Sequence, residues 1–139
     1  MIYLDTSALI KLYLLEDGSE EVSRIVTGQD HPLPVWELQE VELINALRLK
    51  VFRKELGKAD ANRQIDLFFA RKASGQYFYP PISRSDLLAE FQKTGQWTVE
   101  IGCRTLDLMH VACALHIKAD AFITFDQRQR ELAHRSGLH

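Results

Sequence analysis

Two acidic residues stand directly after short apolar stretches, where a carboxylate could do chemistry. Asp5 follows the apolar run at residues 2–4, and Asp126 follows the one at residues 121–125. Such runs predict buried β-strands that lead into helices. Because ligands collect at the carboxyl ends of parallel strands, we expect both carboxylates at one edge of a sheet. Each could instead simply cap the helix that follows, and the residue types leave that alternative open.

A third acid, Asp107, lies in the most apolar helical pattern of the chain, residues 106–117. Nearly all of its neighbours are apolar, so this helix is expected to be buried on most sides. A buried carboxylate is costly unless it is paired or binds a metal ion. The alternative is an ordinary first-turn acid that the helix dipole favours, with Thr105 as the N-cap.

A fourth acid is expected from the longest helical pattern, residues 36–55. Glu42 falls in its second turn, past the region where the helix dipole favours an acid. Glu37 and Glu40 fall in the first turn, where acids are common. Helical geometry alone does not exclude either of them as the fourth acid.

Four carboxylates that converge without a Lys or Arg partner would repel one another, and divalent cations would relieve that repulsion. Ligands that are all oxygen atoms suit Mg²⁺, with Mn²⁺ as a substitute, rather than zinc. Such a site can activate water and stabilise the leaving oxygen of a phosphodiester. No rival site is evident: the five histidines are scattered, and His110 is interpreted as a core residue. Gly-rich phosphate loops and Gly-x-Ser-x-Gly motifs are absent.

Alternating strand and helix patterns predict an α/β fold with a mainly parallel sheet and short edge strands. The predicted strands or extended segments are residues 2–4, 30–35, 76–82 and 121–125, and the predicted helices are residues 8–15, 19–28, 36–55, 59–74, 83–93, 105–117 and 127–135. The two helices on either side of Gly57 predict an antiparallel hairpin that protrudes from the sheet. Its outer aromatic residues, such as Phe52 and Phe69, exceed what a core needs.

The length of 139 residues suits a single domain, 1–139, with one substantial core. A net charge of −2 argues against a broad basic surface made for nucleic acid. It still allows a nucleic-acid enzyme whose acids gather in one metal site. Residues 48–63 carry six basic residues against two acidic ones, which we interpret as a solvated helix face. Together with the surplus aromatics, this run could also provide a surface for self-association and for a protein partner.

Cellular context is predicted from the cysteines and from the apolar runs. Cys103 and Cys113 have no metal-ligand spacing and are interpreted as reduced, buried thiols. No apolar run approaches the roughly 20 residues that span a bilayer. The first residues carry no positive charge before an acid interrupts the apolar run, unlike a signal peptide. We therefore expect a cytoplasmic protein without a membrane segment.

Four segments, in order and with fitting spacings, resemble the PIN-domain family, and within it the VapC toxins of type II toxin–antitoxin systems. They are IYLDTSAL at 2–9, VELINAL at 41–47, RTLDLMHVA at 104–112 and ITFD at 123–126. Each motif alone is weak, but the ordered set of four is specific. The resemblance covers essentially the whole chain.

The resemblance implies a three-layer α/β/α domain with a parallel central sheet. It also implies a Mg²⁺-dependent endoribonuclease that inhibits translation and growth. The implied partners are an RNA substrate, a second copy of the chain in a homodimer, and a VapB-like antitoxin whose C-terminal tail covers the active groove. The implied site consists of the acids Asp5, Glu42, Asp107 and Asp126, supported by the hydroxyls of Thr6 and Thr124.

Rival classes fit the sequence less well. A phosphotransferase of the haloacid dehalogenase type needs a second acid two residues after Asp5, where this chain has Ser7. A receiver domain begins further upstream of its acids and needs a Lys after a late strand. The non-enzyme alternative is a catalytically silent PIN-like module that binds RNA or protein. That alternative predicts the loss of one or more acids, and all four are present.

Overall fold

The computed structural model describes residues 1–139, which divide into two compact units. The first unit consists of Met1–Ser7 and Pro80–His139, and the second of Ala8–Tyr79. Short 3₁₀ turns occupy Ile10–Leu12 and Gly95–Trp97. In chain order the regular elements are β1 (Ile2–Leu4), α1 (Thr6–Leu9), α2 (Ser19–Thr27), β2 (Leu33–Pro34), α3 (Glu37–Phe52), α4 (Lys58–Ala73), β3 (Tyr77–Phe78), α5 (Arg84–Thr94), α6 (Thr98–Ile101), α7 (Thr105–His116), β4 (Ala121–Ile123) and α8 (Gln127–Arg135).

The first unit is built on the parallel pair β1 and β4, with Tyr3 opposite Phe122. Asp5 extends the pairing, because its backbone N–H donates to the Ile123 carbonyl at 3.2 Å. On β4, the Phe122 N–H donates to the carbonyl of His139 at 2.8 Å. Since the two strands are parallel, the residues that follow β1 and β4 emerge at the same edge.

Helix α7 supplies much of the core of the first unit and packs against α5 and α8. Its buried residues occupy most of its circumference, as its almost continuous apolar sequence predicts: Asp107, Leu108, His110, Val111, Ala112, Cys113 and Ala114. Burial of each large apolar side chain contributes about 1.5–3 kcal/mol. The fully buried Tyr3 ring stacks on Phe122, with 5.5 Å between ring centroids.

The second unit contains the parallel pair β2 and β3 and the packed helices α3 and α4. As expected for a segment with prolines, β2 is an edge strand: it pairs only with β3. Phe68 of α4 is fully buried, and its ring contacts those of Tyr13 and Tyr77. The hairpin helices also leave apolar side chains in solvent, and Phe52 is 83% exposed.

Most of the predicted elements are confirmed, with small shifts at their ends. The helices predicted at residues 59–74, 83–93, 105–117 and 127–135 correspond to α4, α5, α7 and α8. Parallel pairing is also confirmed, although the four strands form two separate two-stranded pairs. Both cysteines are buried and free, as predicted. None of the helices has the length and apolar character needed to cross a bilayer.

Three local predictions were wrong. The helix predicted at residues 8–15 is α-helical only to Leu9 and continues as a 3₁₀ turn to Leu12, and Leu15 beyond it is 94% exposed. The strand predicted to reach residue 125 ends at Ile123. Similarly, α7 begins at Thr105, so Arg104 and not Thr105 is its N-cap.

Candidate active site

The carboxylate of Asp5 is fully buried immediately after β1 and is held at both oxygens. The Ser7 hydroxyl donates to Oδ1 at 2.7 Å, and the Thr124 hydroxyl donates to Oδ2 at 2.6 Å. Hydrogen bonds to a charged acceptor are about twice as strong as those between neutral groups. Asp5 is therefore kept in one orientation by residues that follow β1 and β4.

The same two hydroxyls also accept hydrogen bonds from the backbone of the turn after β4. The Phe125 N–H donates to Ser7 at 2.9 Å, and the Asp126 N–H donates to Thr124 at 3.0 Å. Because a hydroxyl has one proton, accepting from these N–H groups leaves that proton for Asp5. The turn that ends β4 early is thus organised around the Asp5 carboxylate.

Asp126 is the N-cap of α8, since its Oδ1 accepts the Gln129 N–H at 2.8 Å. The capping alternative considered from the sequence is therefore correct for one oxygen of this carboxylate. The cap does not remove Asp126 from the edge where Asp5 lies, because Thr124 joins the two residues. Asp126 is thus both the N-cap of α8 and a member of the acid cluster.

Asp107 is 9% exposed and lies in the first turn of α7. Its Oδ1 accepts the Gln129 side-chain amide at 3.2 Å, and its Oδ2 accepts the Arg104 Nε at 3.1 Å. The expectation that no basic residue compensates the acids was therefore wrong for Asp107. Because the Arg104 side chain is 77% exposed, this ion pair contributes at most about 1 kcal/mol.

These hydrogen bonds connect three of the four predicted acids in one network within the first unit. The connection runs from Asp5 through Thr124 and Asp126 to Gln129, and from there to Asp107. The negative charge of these acids affects the pKa of the neighbouring Cys103 thiol. Burial raises its pKa, and the charges of Asp107 and Asp126 raise it further.

His110 is a satisfied core histidine, as predicted. It is 1% exposed; its Nδ1 lies 2.8 Å from the Tyr3 hydroxyl and its Nε2 lies 3.4 Å from the Thr6 hydroxyl. Thr6, predicted to support the acids, contacts His110 through its hydroxyl. The Thr124 hydroxyl donates a hydrogen bond to Asp5.

Two residues with clear contacts to the acids, Ser7 and Gln129, were not identified from the sequence. Gln129 carried a usable signal, because an Asp followed three residues later by Gln fits the pattern of a capping box. Ser7 carried little signal, since a Ser at the start of a helix has many ordinary roles. Its function depends on the strand pairing that brings residue 125 beside it.

Glu42, the fourth predicted acid, belongs to the second unit, where it is half-buried in the second turn of α3. Its competitor Glu40 accepts hydrogen bonds from the Lys72 ammonium at 2.8 Å and the Tyr79 hydroxyl at 3.1 Å. The other competitor, Glu37, is exposed. Glu40 therefore forms an ion pair with α4 and a hydrogen bond with the residue after β3, and these contacts disfavour Glu40 as a metal ligand.

The donors in the first unit suit a hard divalent cation. Asp5, Asp107 and Asp126 offer carboxylate oxygens, the ligands that Mg²⁺ and Mn²⁺ prefer. The amide oxygen of Gln129 is buried beside them and accepts no hydrogen bond from the chain. As the side chains stand, no three His, Cys, Asp or Glu residues are arranged closely enough to form a ready-made metal site.

A parallel strand pair is followed at one edge by the buried Asp5 and the half-buried Asp126, and a helix begins after each acid. This arrangement defines an α/β protein with an acidic site. The profile of the PIN domain matches residues 2–135, and the chain belongs to the PIN-domain family. The predicted fold class, the three-layer α/β/α domain of that family, is thereby confirmed.

Comparison with solved structures gives the same fold. The chain is similar to the crystal structure of VapC20 from Mycobacterium tuberculosis, described as a sarcin–ricin loop cleaving toxin. The TM-score is 0.67 at 13% identity, and the match covers 100% of this chain and 97% of VapC20. No curated protein matches the sequence.

Proposed function

We propose that this PIN-domain protein is a metal-dependent endoribonuclease that uses Mg²⁺, with Mn²⁺ as a substitute. The observation that carries the proposal is the buried Asp5 carboxylate, which shares one hydrogen-bond network with Asp107 and Asp126. A bound cation would supply an activated water and neutralise charge on the leaving oxygen of the phosphodiester. The residues proposed to hold it are Asp5, Asp107, Asp126 and, by resemblance, Glu42.

The contribution of the chain itself is to hold these acids in fixed orientations. Ser7 and Thr124 orient Asp5, and Gln129 orients Asp107. Catalytic groups need to be held within about 0.5 Å of their productive positions, which demands such supporting contacts. The proposal therefore assigns the hydroxyls and the amide a positioning role, separate from the acids.

Exposed cations on the hairpin support RNA as the substrate. Arg48, Arg53, Lys54 and Lys58 are exposed and form no ion pair, unlike Lys50, which contacts Glu16 and Glu55. Each side chain that contacts a phosphate strengthens binding through counterion release and makes it dependent on salt. A modest cluster of this kind allows RNA binding by a chain whose net charge is −2.

We further propose that the protein is a VapC-type toxin that inhibits translation and growth in the cytoplasm. In this proposal it forms a homodimer and is silenced by a VapB-like antitoxin. The support is the resemblance of the four motifs, together with the exposed apolar residues of the hairpin, such as Val41, Phe52 and Phe69. The RNA that VapC20 cleaves is not carried over to this chain at 13% identity.

The test is cleavage of total RNA by the purified chain with Mg²⁺ and after chelation by EDTA. Asp5→Asn and Asp107→Asn should lose activity by orders of magnitude, each factor of ten being about 1.4 kcal/mol of lost transition-state stabilisation. Asp66→Asn is the matched control, because Asp66 is an exposed carboxylate on α4. Sequencing of the 5′ ends after brief expression in cells would identify the target RNA.

Two outcomes would contradict the proposal. A wild-type chain that binds RNA but cleaves none in the presence of Mg²⁺ or Mn²⁺ would indicate the catalytically silent alternative. Equal cleavage by wild type and Asp5→Asn would show that the acid network does not carry the activity. A thermal shift assay complements the test: Mg²⁺ or Mn²⁺ should raise the melting temperature of the wild type and much less that of Asp5→Asn.

A further inference from the structure

Gln129 is a buried polar residue that connects two of the proposed metal ligands. Only 6% of it is exposed. Its backbone N–H donates to Asp126 Oδ1 at 2.8 Å, and its side-chain Nε2 donates to Asp107 Oδ1 at 3.2 Å. Gln129 is therefore the direct link between the end of β4 and the first turn of α7.

The orientation of the Gln129 amide is determined by Asp107. Exchanging the amide nitrogen and oxygen would place Oε1 against Asp107 Oδ1, and two acceptors would then face each other. With Nε2 directed at Asp107, the position of Oε1 follows. Oε1 is buried and accepts no hydrogen bond from the chain. Buried acceptors without a donor are rare in folded proteins and usually indicate a bound water or ligand.

The cationic side chains of α8 do not supply the missing donor. Arg130 donates to the carbonyl of Thr124 at 2.9 Å, and Arg128 donates to the carbonyl of Gly102 at 3.5 Å. The donor for Oε1 must therefore come from outside the chain. Beside two carboxylates that suit a divalent cation, a water molecule bound to that cation has the required chemistry: it donates hydrogen bonds and is itself attracted to the acids.

We propose that Gln129 is a positioning residue of the metal site, which holds Asp107 through Nε2 and accepts, through Oε1, a hydrogen bond from a water ligand of the bound cation. This inference rests on the proposed function, since it requires a cation at the acids. Residues that orient metal ligands typically affect metal affinity by 10- to 100-fold. If Gln129 served only the packing of α8, its replacement would leave metal affinity unchanged.

The experiment measures Mn²⁺ affinity by calorimetry and by the electron paramagnetic resonance of free Mn²⁺, well below the melting temperature. Gln129→Leu, which removes both the amide donor and the acceptor, should bind Mn²⁺ about 10- to 100-fold more weakly than the wild type. Ser136→Ala is the matched control, because Ser136 at the end of α8 also has a buried polar atom without a partner. Its Mn²⁺ affinity should equal that of the wild type, whatever its melting temperature.

A second variant covers the case in which Gln129→Leu does not fold. Gln129→Asn keeps an amide but is one methylene shorter, and it should lose Mn²⁺ affinity by several-fold or more. Unchanged Mn²⁺ affinity in a folded variant, alongside RNA cleavage by the wild type, would overturn the role of Gln129 and leave the proposed function standing. Absence of Mn²⁺ and Mg²⁺ binding by the wild type would overturn both.

Discussion

The Asp5 carboxylate accepts hydrogen bonds from two hydroxyls, one near it in the sequence and one far from it. Ser7 lies two residues away, whereas Thr124 lies 119 residues away along the sequence. Each hydroxyl is itself fixed by a backbone N–H of the turn after β4. The burial of Asp5 is therefore compensated by contacts that exist only when β1 and β4 pair.

Thr124→Val tests this arrangement, because it keeps the shape of the side chain and removes its hydroxyl. Asp5 would lose one donor and the Asp126 N–H would lose its acceptor, so the free energy of unfolding should fall by about 1–3 kcal/mol. RNA cleavage should fall with it. Thr124→Ser, which keeps the hydroxyl, should retain most of both. Urea denaturation of the two variants provides the measurement, and equal stability would contradict the role assigned to Thr124.

The choice among the three glutamates of α3 gives a second prediction for single residues. Glu42→Gln should reduce RNA cleavage by orders of magnitude, whereas Glu37→Gln and Glu40→Gln should stay within a few-fold of the wild type. Glu40→Gln should instead lower stability by up to about 1 kcal/mol, because it weakens the contact with Lys72. An inactive Glu40→Gln beside an active Glu42→Gln would show that the fourth acid is misassigned.

At the scale of the elements, α7 and α3 end in the same way but with lysine where glycine is usual. At the end of α7, the Lys118 N–H donates to the Leu115 carbonyl and the Ala119 N–H donates to the Ala114 carbonyl. This pair of bonds defines a Schellman motif, which requires a left-handed residue. Lys118 has φ 58°, and Lys54 after α3 has φ 60°. Both lysines therefore carry the steric cost that glycine avoids.

Lys118→Gly should raise the free energy of unfolding by about 0.5–1 kcal/mol, because glycine reaches a positive φ without the clash of a Cβ atom. Lys118 is exposed, so few contacts are lost. Lys118→Ala removes the same charged side chain but keeps the Cβ, and it should leave stability nearly unchanged. Thermal melts of the wild type and the two variants provide the measurement. Higher stability in both variants would show that the charge of Lys118, and not its backbone strain, is responsible.

The tyrosine cluster of the second unit predicts a dependence of stability on pH. The Tyr13 and Tyr77 hydroxyls are hydrogen-bonded, and the Arg71 guanidinium lies over the Tyr13 ring at 4.7 Å from its centroid. Burial raises the pKa of Tyr13, and the neighbouring Tyr77 raises it further. In the unfolded chain this phenol would ionise near pH 10.

Because the folded pKa is the higher one, the stability contributed by protonated Tyr13 is complete below about pH 10 and declines as the pH rises further. We expect a loss of about 1.4 kcal/mol per pH unit from this residue alone above that point. Tyr13→Phe should therefore show a shallower decline above pH 10 than the wild type. Denaturation at a series of alkaline pH values, with absorbance at 295 nm to follow ionisation, tests this, and parallel curves would contradict it.

At the scale of the whole molecule, the hairpin leaves apolar side chains such as Val41, Phe52 and Phe69 exposed to solvent, as a surface for self-association would. We predict a homodimer on light scattering, with an apparent mass twice that of the chain. Phe52→Arg should weaken the dimer if the hairpin contributes to it, because Phe52 is 83% exposed. Leu15→Arg is the control, since Leu15 is 94% exposed but lies outside the hairpin. A strict monomer at micromolar concentrations would contradict the prediction.

Local sequence pattern was sufficient to place most helices and strands and to single out Asp5, Asp107 and Asp126. Apolar runs and helical periodicity report burial directly, and a carboxylate among buried residues is visible without any structure. The same pattern misled at residues 8–15, where the α-helix ends at Leu9 and only a 3₁₀ turn follows, to Leu12. Over so few residues, apolar periodicity does not distinguish about 3.6 residues per turn from about 3.0.

Tertiary structure alone decided how the acids are held. The contacts of Asp5 with Thr124 and of Ser7 with Phe125 join residues more than 110 positions apart, so they exist only through the pairing of β1 with β4. The ion pair that occupies Glu40 likewise depends on the packing of α3 beside α4. Burial of a side chain is encoded by its near neighbours in sequence, whereas the direction of its hydrogen bonds is determined by whichever strand or helix folds against it.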